Sequence, residues 1–267
     1  MIITHLSTAA RLVFLTLVAG FLAMPIAVVS LVSFNQTSQM VFPPSEWSLR
    51  WYFDFFSDPT WVSAFTHSIV IALAAAALST SIALPIAYAQ WRHRSRFANI
   101  LAGLGGLPFV LPSVVIAILF LLFWGTIRHV GQIENIIISH AITFVAMPLV
   151  MITLGFASID ETLIEAAKTM GAPEEHVFTT VVLPIIFPFI VASLIFVAIF
   201  SLNEYLIAYM VGGFATQTLP VKIFASMRTG FSPAICVAAV LFLTIGLIGF
   251  LTIARFGNLP KLMGARG

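Results

Sequence analysis

Residues 158–184 read SIDETLIEAAKTMGAPEEHVFTTVVLP. Ser158 and Glu161 have the spacing of a capping box. Asp160 and Glu161 also suit the positive end of a helix. Leu163, Ala166, Ala167 and Met170 then fall on one helical stripe. Gly171 is a natural stop, and Pro173 opens a second short helix with Glu174 and Glu175 in its first turn. The spacing predicts a compact helix–turn–helix with a small-residue face. Two readings stay open: an ordinary capped amphipathic loop, or a surface that another protein approaches closely.

On both sides of this stretch the chain is apolar. Of 267 residues 60% are hydrophobic and 8% charged, against about 25% charged in a soluble domain. Such a composition excludes a soluble globular domain and a disordered chain. The apolar stretches run approximately over 12–34, 62–90, 98–124, 135–157, 181–202 and 234–255. Each is long enough for the ~20 residues that cross a bilayer as helix. Segments such as Ile69 to Ala77 are apolar all round, which argues against the alternating strands of a barrel. The first stretch follows Arg11 but is long for a signal peptide and has no small-residue cleavage site, so it reads as a retained span. The expected fold is an all-α membrane protein of six transmembrane helices, one domain over 1–267.

Proline recurs within the spans, at Pro25, Pro85, Pro108, Pro112, Pro148, Pro184 and Pro188. Singly, these are as well explained by packing kinks as by function. The run Gly103-Leu104-Gly105-Gly106-Leu107-Pro108-Phe109-Val110-Leu111-Pro112 predicts a broken or bent helix. Broken helices line transport pathways.

Orientation follows the Lys and Arg count. With the N-terminus cytoplasmic, Arg11, Arg92, Arg94, Arg96, Lys168, Arg255, Lys261 and Arg266 lie inside, and Arg50, Arg128, Lys222 and Arg228 outside. Both termini are therefore expected in the cytoplasm. The 158–178 loop is then cytoplasmic and the 203–233 loop external. A net charge of +2 gives no reason to expect nucleic acid.

Catalytic signatures are missing from the sequence. Lys168, Lys222 and Lys261 are the only lysines, and none ends a glycine-rich phosphate loop. Cys236 stands alone, and His5, His67, His93, His129, His140 and His176 have no i, i+4 partner, so no metal site is expected. Cys236 reads as a small buried apolar residue. His140 reads as a polar cap at the outer end of span four, with a proton carrier as the rival reading.

Glu165-Ala166-Ala167, then three residues, Gly171, nine residues, Val181, one residue and Leu183-Pro184 resembles the EAA motif of ATP-binding-cassette importer permeases. The span number and side agree with that family. The resemblance implies the type I importer permease fold and a bacterial inner-membrane location. It also implies a non-catalytic subunit with no cofactor of its own. ATP and magnesium would be bound by two partner ATPase subunits. Glu165, Ala166, Ala167, Gly171, Leu183 and Pro184 would form the coupling segment that docks into them. A second, different permease chain would complete the path, with lipid around it and an extracytoplasmic binding protein to deliver substrate.

The stretch Ser201-Leu202-Asn203-Glu204, with Thr218-Leu219-Pro220, Met227-Arg228-Thr229-Gly230 and Ser232-Pro233, is similar to the second permease of spermidine/putrescine-type importers. The departure is at 203–204, where those permeases carry two acidic residues and this chain has Asn203 and Glu204. Asn203, Glu204, Tyr205 and Tyr209 are the candidate substrate-path residues: a carboxylate for charge, ring faces for ammonium groups. A solvated or packing role for Glu204 stays open. The expected cargo is a small amine-bearing solute such as a polyamine. The alternatives are another small solute (an opine, an aminophosphonate, an inorganic ion) or, from a different class, an ion-coupled secondary transporter.

Overall fold

A computed structural model of the chain describes residues 8–256 apart from Phe214. Lys261 and Arg266 of the charge count, and His5, lie outside the described residues. The elements are α1 (Thr8–Val32), α2 (Arg50–Ser57), α3 (Pro59–His93), α4 (Arg96–Val110), α5 (Ser113–Thr126), α6 (Ile133–Phe144), α7 (Ala146–Ala157), α8 (Glu161–Thr169), α9 (Glu174–Val177), α10 (Leu183–Asn203), α11 (Leu206–Gly212), α12 (Leu219–Thr229) and α13 (Ala234–Phe256). Among the described residues the sole β-pairing is one bridge, Asn35 to Trp47. The fold is all-α, as expected.

Four helices are each long and apolar enough to cross a membrane: Ala10–Val32, Pro59–His93, Glu174–Asn203 and Ala234–Arg255. Two bent pairs, α4 with α5 at 112° and α6 with α7 at 47°, bring the count to six where each pair is one span. The glycine–proline run therefore does break its span. Leu111 is extended, with ψ 145°, as a residue before proline must be, and Pro112 turns the chain into α5. The second bend, at Val145, has the same origin. Pro148 cannot donate to the Phe144 carbonyl and its ring crowds that group. Pro25, Pro85, Pro108 and Pro188 sit inside unbroken helices.

The chain forms two compact units. The first holds the described residues up to Val62, with Ile223–Thr244. In it α1 is exposed from Arg11 to Ala27. The following loop is ordered by Asn35, fully buried, whose amide donates to the carbonyls of Val41 at 2.7 Å and Gln39 at 3.3 Å. The Ser33 and Tyr52 hydroxyls meet at 2.8 Å, and the Phe34 and Tyr52 rings lie 5.3 Å apart.

The second unit holds Ser63–Lys222 and the described residues from Ile245 on. Here α10 packs along α7, α11 on α5 and α6, and α4 on α6 and α7. Ala72, Ala76, Ala83 and Ala87 of α3 are buried at spacings of four, seven and four residues, a small-residue stripe that permits close helix approach. One core joins Ile116, Trp124, Ile136, Ile207 and Val211. Another joins Val145, Ile152, Phe156, Val182 and Ile186.

Candidate functional site

The predicted sites fall on two corners of the second unit. The first is the α8–α9 turn. Its helix start differs from the expected capping box. Asp160, not Ser158, is the N-cap, and its carboxylate accepts the Thr162 backbone N–H at 2.9 Å and hydroxyl at 2.8 Å. Those two donors hold the Asp160 carboxyl below the ordinary carboxylate range. Ser158 instead closes the preceding helix, its hydroxyl donating to the Gly155 carbonyl at 2.8 Å. Ser158 and Asp160, two residues apart, are both suited to capping; the end of α7 takes up Ser158, which leaves Asp160 to cap its own i+2 amide.

The predicted stop is where it was expected. Gly171 has φ +82°, its N–H donates to Lys168, and the Ala172 N–H donates back to Ala167, the two bonds of a Schellman turn. Pro173 then caps α9. Glu165, Ala166 and Gly171 are exposed, Ala167 is buried, and Leu163 and Met170 are 49% and 82% exposed. A small-residue surface bordered by two unburied apolar side chains is thus open in this chain. Leu183 is half-buried and Pro184 exposed at the start of α10. The backbone enters α10 through a π-helical turn at Phe178–Val182, where the Leu183 N–H reaches Phe178. That turn supplies the register change that the missing Pro184 donor demands.

Sequence reasoning missed what holds this corner to α3. That helix has 35 residues, about 50 Å at 1.5 Å per residue, so its end projects beyond the hydrocarbon. Arg92 there pairs with Glu174, and Lys168 lies 3.5 Å from the same carboxylate. Trp91 stacks on Phe156 at 5.0 Å, and Tyr88 meets Phe178 edge-on at 5.5 Å. A cleft of about 340 Å³ remains between them, lined by Tyr88, Trp91, Arg92, Glu165 and Lys168. Arg92, Arg94 and Arg96 were the available signal, but they entered only the charge count that sets orientation.

The second corner joins α10 to α11. Asn203 ends α10, exposed, with its amide donating to the Ile199 carbonyl at 2.8 Å. Glu204 is extended, at φ −76° and ψ 123°. Its carboxylate accepts the backbone N–H groups of Leu206 at 3.1 Å, Ile207 at 2.8 Å and Ala208 at 3.2 Å, and its side chain is 11% exposed. Tyr205 and Tyr209 stack at 5.5 Å with ring planes 17° apart; Tyr209 is the more exposed. The stretch 203–233, read as a loop, contains α11 and α12, and Ile207, Ala208 and Val211 are fully buried. Only seven residues long, α11 carried too weak a period to be seen beside the span before it.

His140 is not a cap. It lies inside α6, fully buried. Its Nδ1 is 2.7 Å from the Ser201 hydroxyl and its Nε2 is 3.5 Å from a Glu204 oxygen. All four candidate path residues are thus gathered at one corner, with His140 behind them.

Residues 80–258 match the family described as binding-protein-dependent transport system inner membrane component. The chain is similar to the putrescine transport system permease protein PotI of Escherichia coli K12, 31% identical over 90% of this chain and 88% of that one. It is also similar to the spermidine/putrescine transport system permease protein PotC of Haemophilus influenzae, 27% identical over 89% and 92%. Its fold is similar to a chain of a bacterial ABC transporter that imports the acidic polysaccharide alginate, with TM-score 0.69 at 16% identity, covering 95% of this chain and 99% of that chain. A chain of the MetNI methionine ABC transporter matches with TM-score 0.61 at 15% identity, over 77% of this chain and 96% of that one.

Proposed function

The chain belongs to the binding-protein-dependent transport system inner membrane component family, and on that premise we propose that its cargo is a small amine-bearing solute such as putrescine or spermidine. At the coarser level it is the permease component of an ATP-driven importer, a multi-pass inner-membrane subunit. ATP is hydrolysed on a separate subunit, and a partner permease and a periplasmic binding protein complete the system. The observation that carries the finer reading is likeness to putrescine and spermidine/putrescine permeases over about nine-tenths of the chain.

The α10–α11 corner supports that reading chemically. Tyr209 offers an exposed ring, stacked on Tyr205, and Glu204 directly precedes Tyr205 in the chain. A ring face attracts an ammonium group, and the charge behind it adds to the attraction. Asn203, exposed on the same corner, lines the path with them. The α8–α9 corner is the coupling segment. Ala166 and Gly171 let an ATPase surface approach closely, Glu165 pairs with a basic group on it, and Leu183 and Pro184 pass its movement into α10. Both termini are cytoplasmic on the charge count, which puts the coupling corner on the ATPase side and the tyrosine corner outside. The partner permease is a different chain.

The test is uptake of labelled putrescine by proteoliposomes carrying the whole complex, with spermidine, an opine, an aminophosphonate and phosphate as competitors. Competition by spermidine alone supports the reading. No uptake of putrescine or spermidine, with uptake of one of the other solutes when it carries the label, overturns it. Uptake must also persist when ion gradients are collapsed and ATP is kept.

A further inference from the structure

We infer that His140 is a positioning residue that fixes the α10–α11 corner by acting on Glu204. His140 is wholly buried in an apolar span, where an imidazole is retained only if its polar atoms are answered. Nδ1 is answered by Ser201 Oγ in the last turn of α10, at 2.7 Å. Nε2 has no hydrogen-bond partner among the described residues, yet it faces a Glu204 carboxylate oxygen at 3.5 Å. A carboxylate only accepts, so the imidazole proton belongs on Nε2, and Nδ1 takes the Ser201 hydroxyl proton as acceptor. One polar chain therefore runs from α10 through α6 to the Glu204 side chain, and from there into three backbone amides of α11.

The physical need for such a chain lies at the amides. Ile207 and Ala208 are fully buried, and a buried N–H left without a partner forfeits the hydration it gave up. Glu204 satisfies them only while its carboxylate stays over the helix start. Its own backbone, extended between two helices, leaves the side chain free to swing. The fixed imidazole, held by Ser201 on the far side, keeps an N–H donor at one place beside the carboxylate. Because Tyr205 and Tyr209 flank these amides, the same restraint sets where their rings stand. The consequence for transport rests on the permease reading; the local restraint does not.

The test is amide hydrogen exchange on the assembled complex in nanodiscs, followed at Leu206, Ile207 and Ala208. Loss of a charge-assisted partner is worth roughly one decade or more, so His140→Phe, which keeps the bulk, is expected to speed their exchange about tenfold. His140→Gln restores a donor toward Glu204 and is expected to bring exchange back near the wild-type rate. In a Glu204→Ala background His140→Phe is expected to add nothing, since the restraint acts through the carboxylate. Ser201→Ala, a mild change, is expected to speed the same amides to a smaller extent, and it decides the matter if His140→Phe disrupts the fold. Wild-type exchange in both His140→Phe and Ser201→Ala would overturn the inference. So would exchange as fast in His140→Gln as in His140→Phe, or an equal effect of His140→Phe with and without Glu204.

Discussion

At each of the two corners a helix stops, turns and restarts, and each does so by different means. At α8–α9 the stop is a glycine at φ +82°, and the bonds that close it span three to five residues. The long-range tie is an ion pair from Arg92 to Glu174, with side chains 37% and 67% exposed. At α10–α11 no glycine occurs. Glu204 itself takes the turn, and its carboxylate closes the next helix. The tie there is buried, from His140 to Ser201, 61 residues apart. The difference follows from solvent. An exposed corner leaves stray amides to water and needs only a backbone that can bend. A corner buried in the protein must satisfy each donor with a side chain, and must then hold that side chain still.

The largest expected effect comes from breaking the exposed corner. A Cβ at Gly171 meets nothing within 4 Å, so Gly171→Leu fails through backbone strain of about 1–2 kcal/mol and through a side chain projecting into the docking surface. Putrescine uptake and co-purification of the ATPase should both be lost while the chain stays in the membrane. Normal values of both would remove coupling from this corner.

Next comes the charge at the buried corner. Glu204→Gln still accepts backbone N–H groups but offers no charge. At roughly 1.5–3 kcal/mol for a charge-assisted bond, initial putrescine uptake should fall by about one to two decades. Unchanged uptake would leave Glu204 as a helix cap alone. A rise would point to an anionic cargo.

The rings sharpen the contrast further. Tyr209→Ala should weaken uptake by about 1 kcal/mol, or roughly fivefold, and Tyr205→Ala, on the less exposed ring, less. A larger kinetic effect from Tyr205 would place the path on its face instead. Breaking the exposed tie should matter less again. Arg92→Gln is expected to lower uptake per ATP hydrolysed by no more than about threefold, with the wild-type complex approaching the variant as salt rises, since exposed pairs are screened. A salt-independent loss would mean that Arg92 contacts the ATPase directly.

The smallest effect is one of pH. The folded Asp160 carboxyl titrates below its ordinary value, so its cap is fully stabilising above that value and is lost as pH falls through the lowered one. Acid pH should loosen α8 in amide exchange, and Asp160→Asn, which still caps, should show no such dependence. Equal acid loosening in both would assign it to another group.

Much was legible because it is local. Six apolar stretches of bilayer length, the 103–112 break, the Gly171 stop and the Pro173 restart depend on residues a few positions apart. The chemistry of glycine, proline and continuous apolar chain determines them wherever they occur. The EAA spacing belongs to the same class, since it is a pattern along one helix and the next.

Tertiary structure decided the rest. Whether Ser158 or Asp160 caps α8 depended on how α7 ends. That Leu206–Gly212 is a helix with a buried face and not a loop depended on α5 and α6 being there to cover it. Arg92 met Glu174, and His140 met Ser201 and Glu204, only once helices far apart in sequence had packed. A sequence fixes which backbone conformations are cheap along a segment. The identity of a buried polar group's partner is set by the packing that excludes water around it, and no local spacing records that.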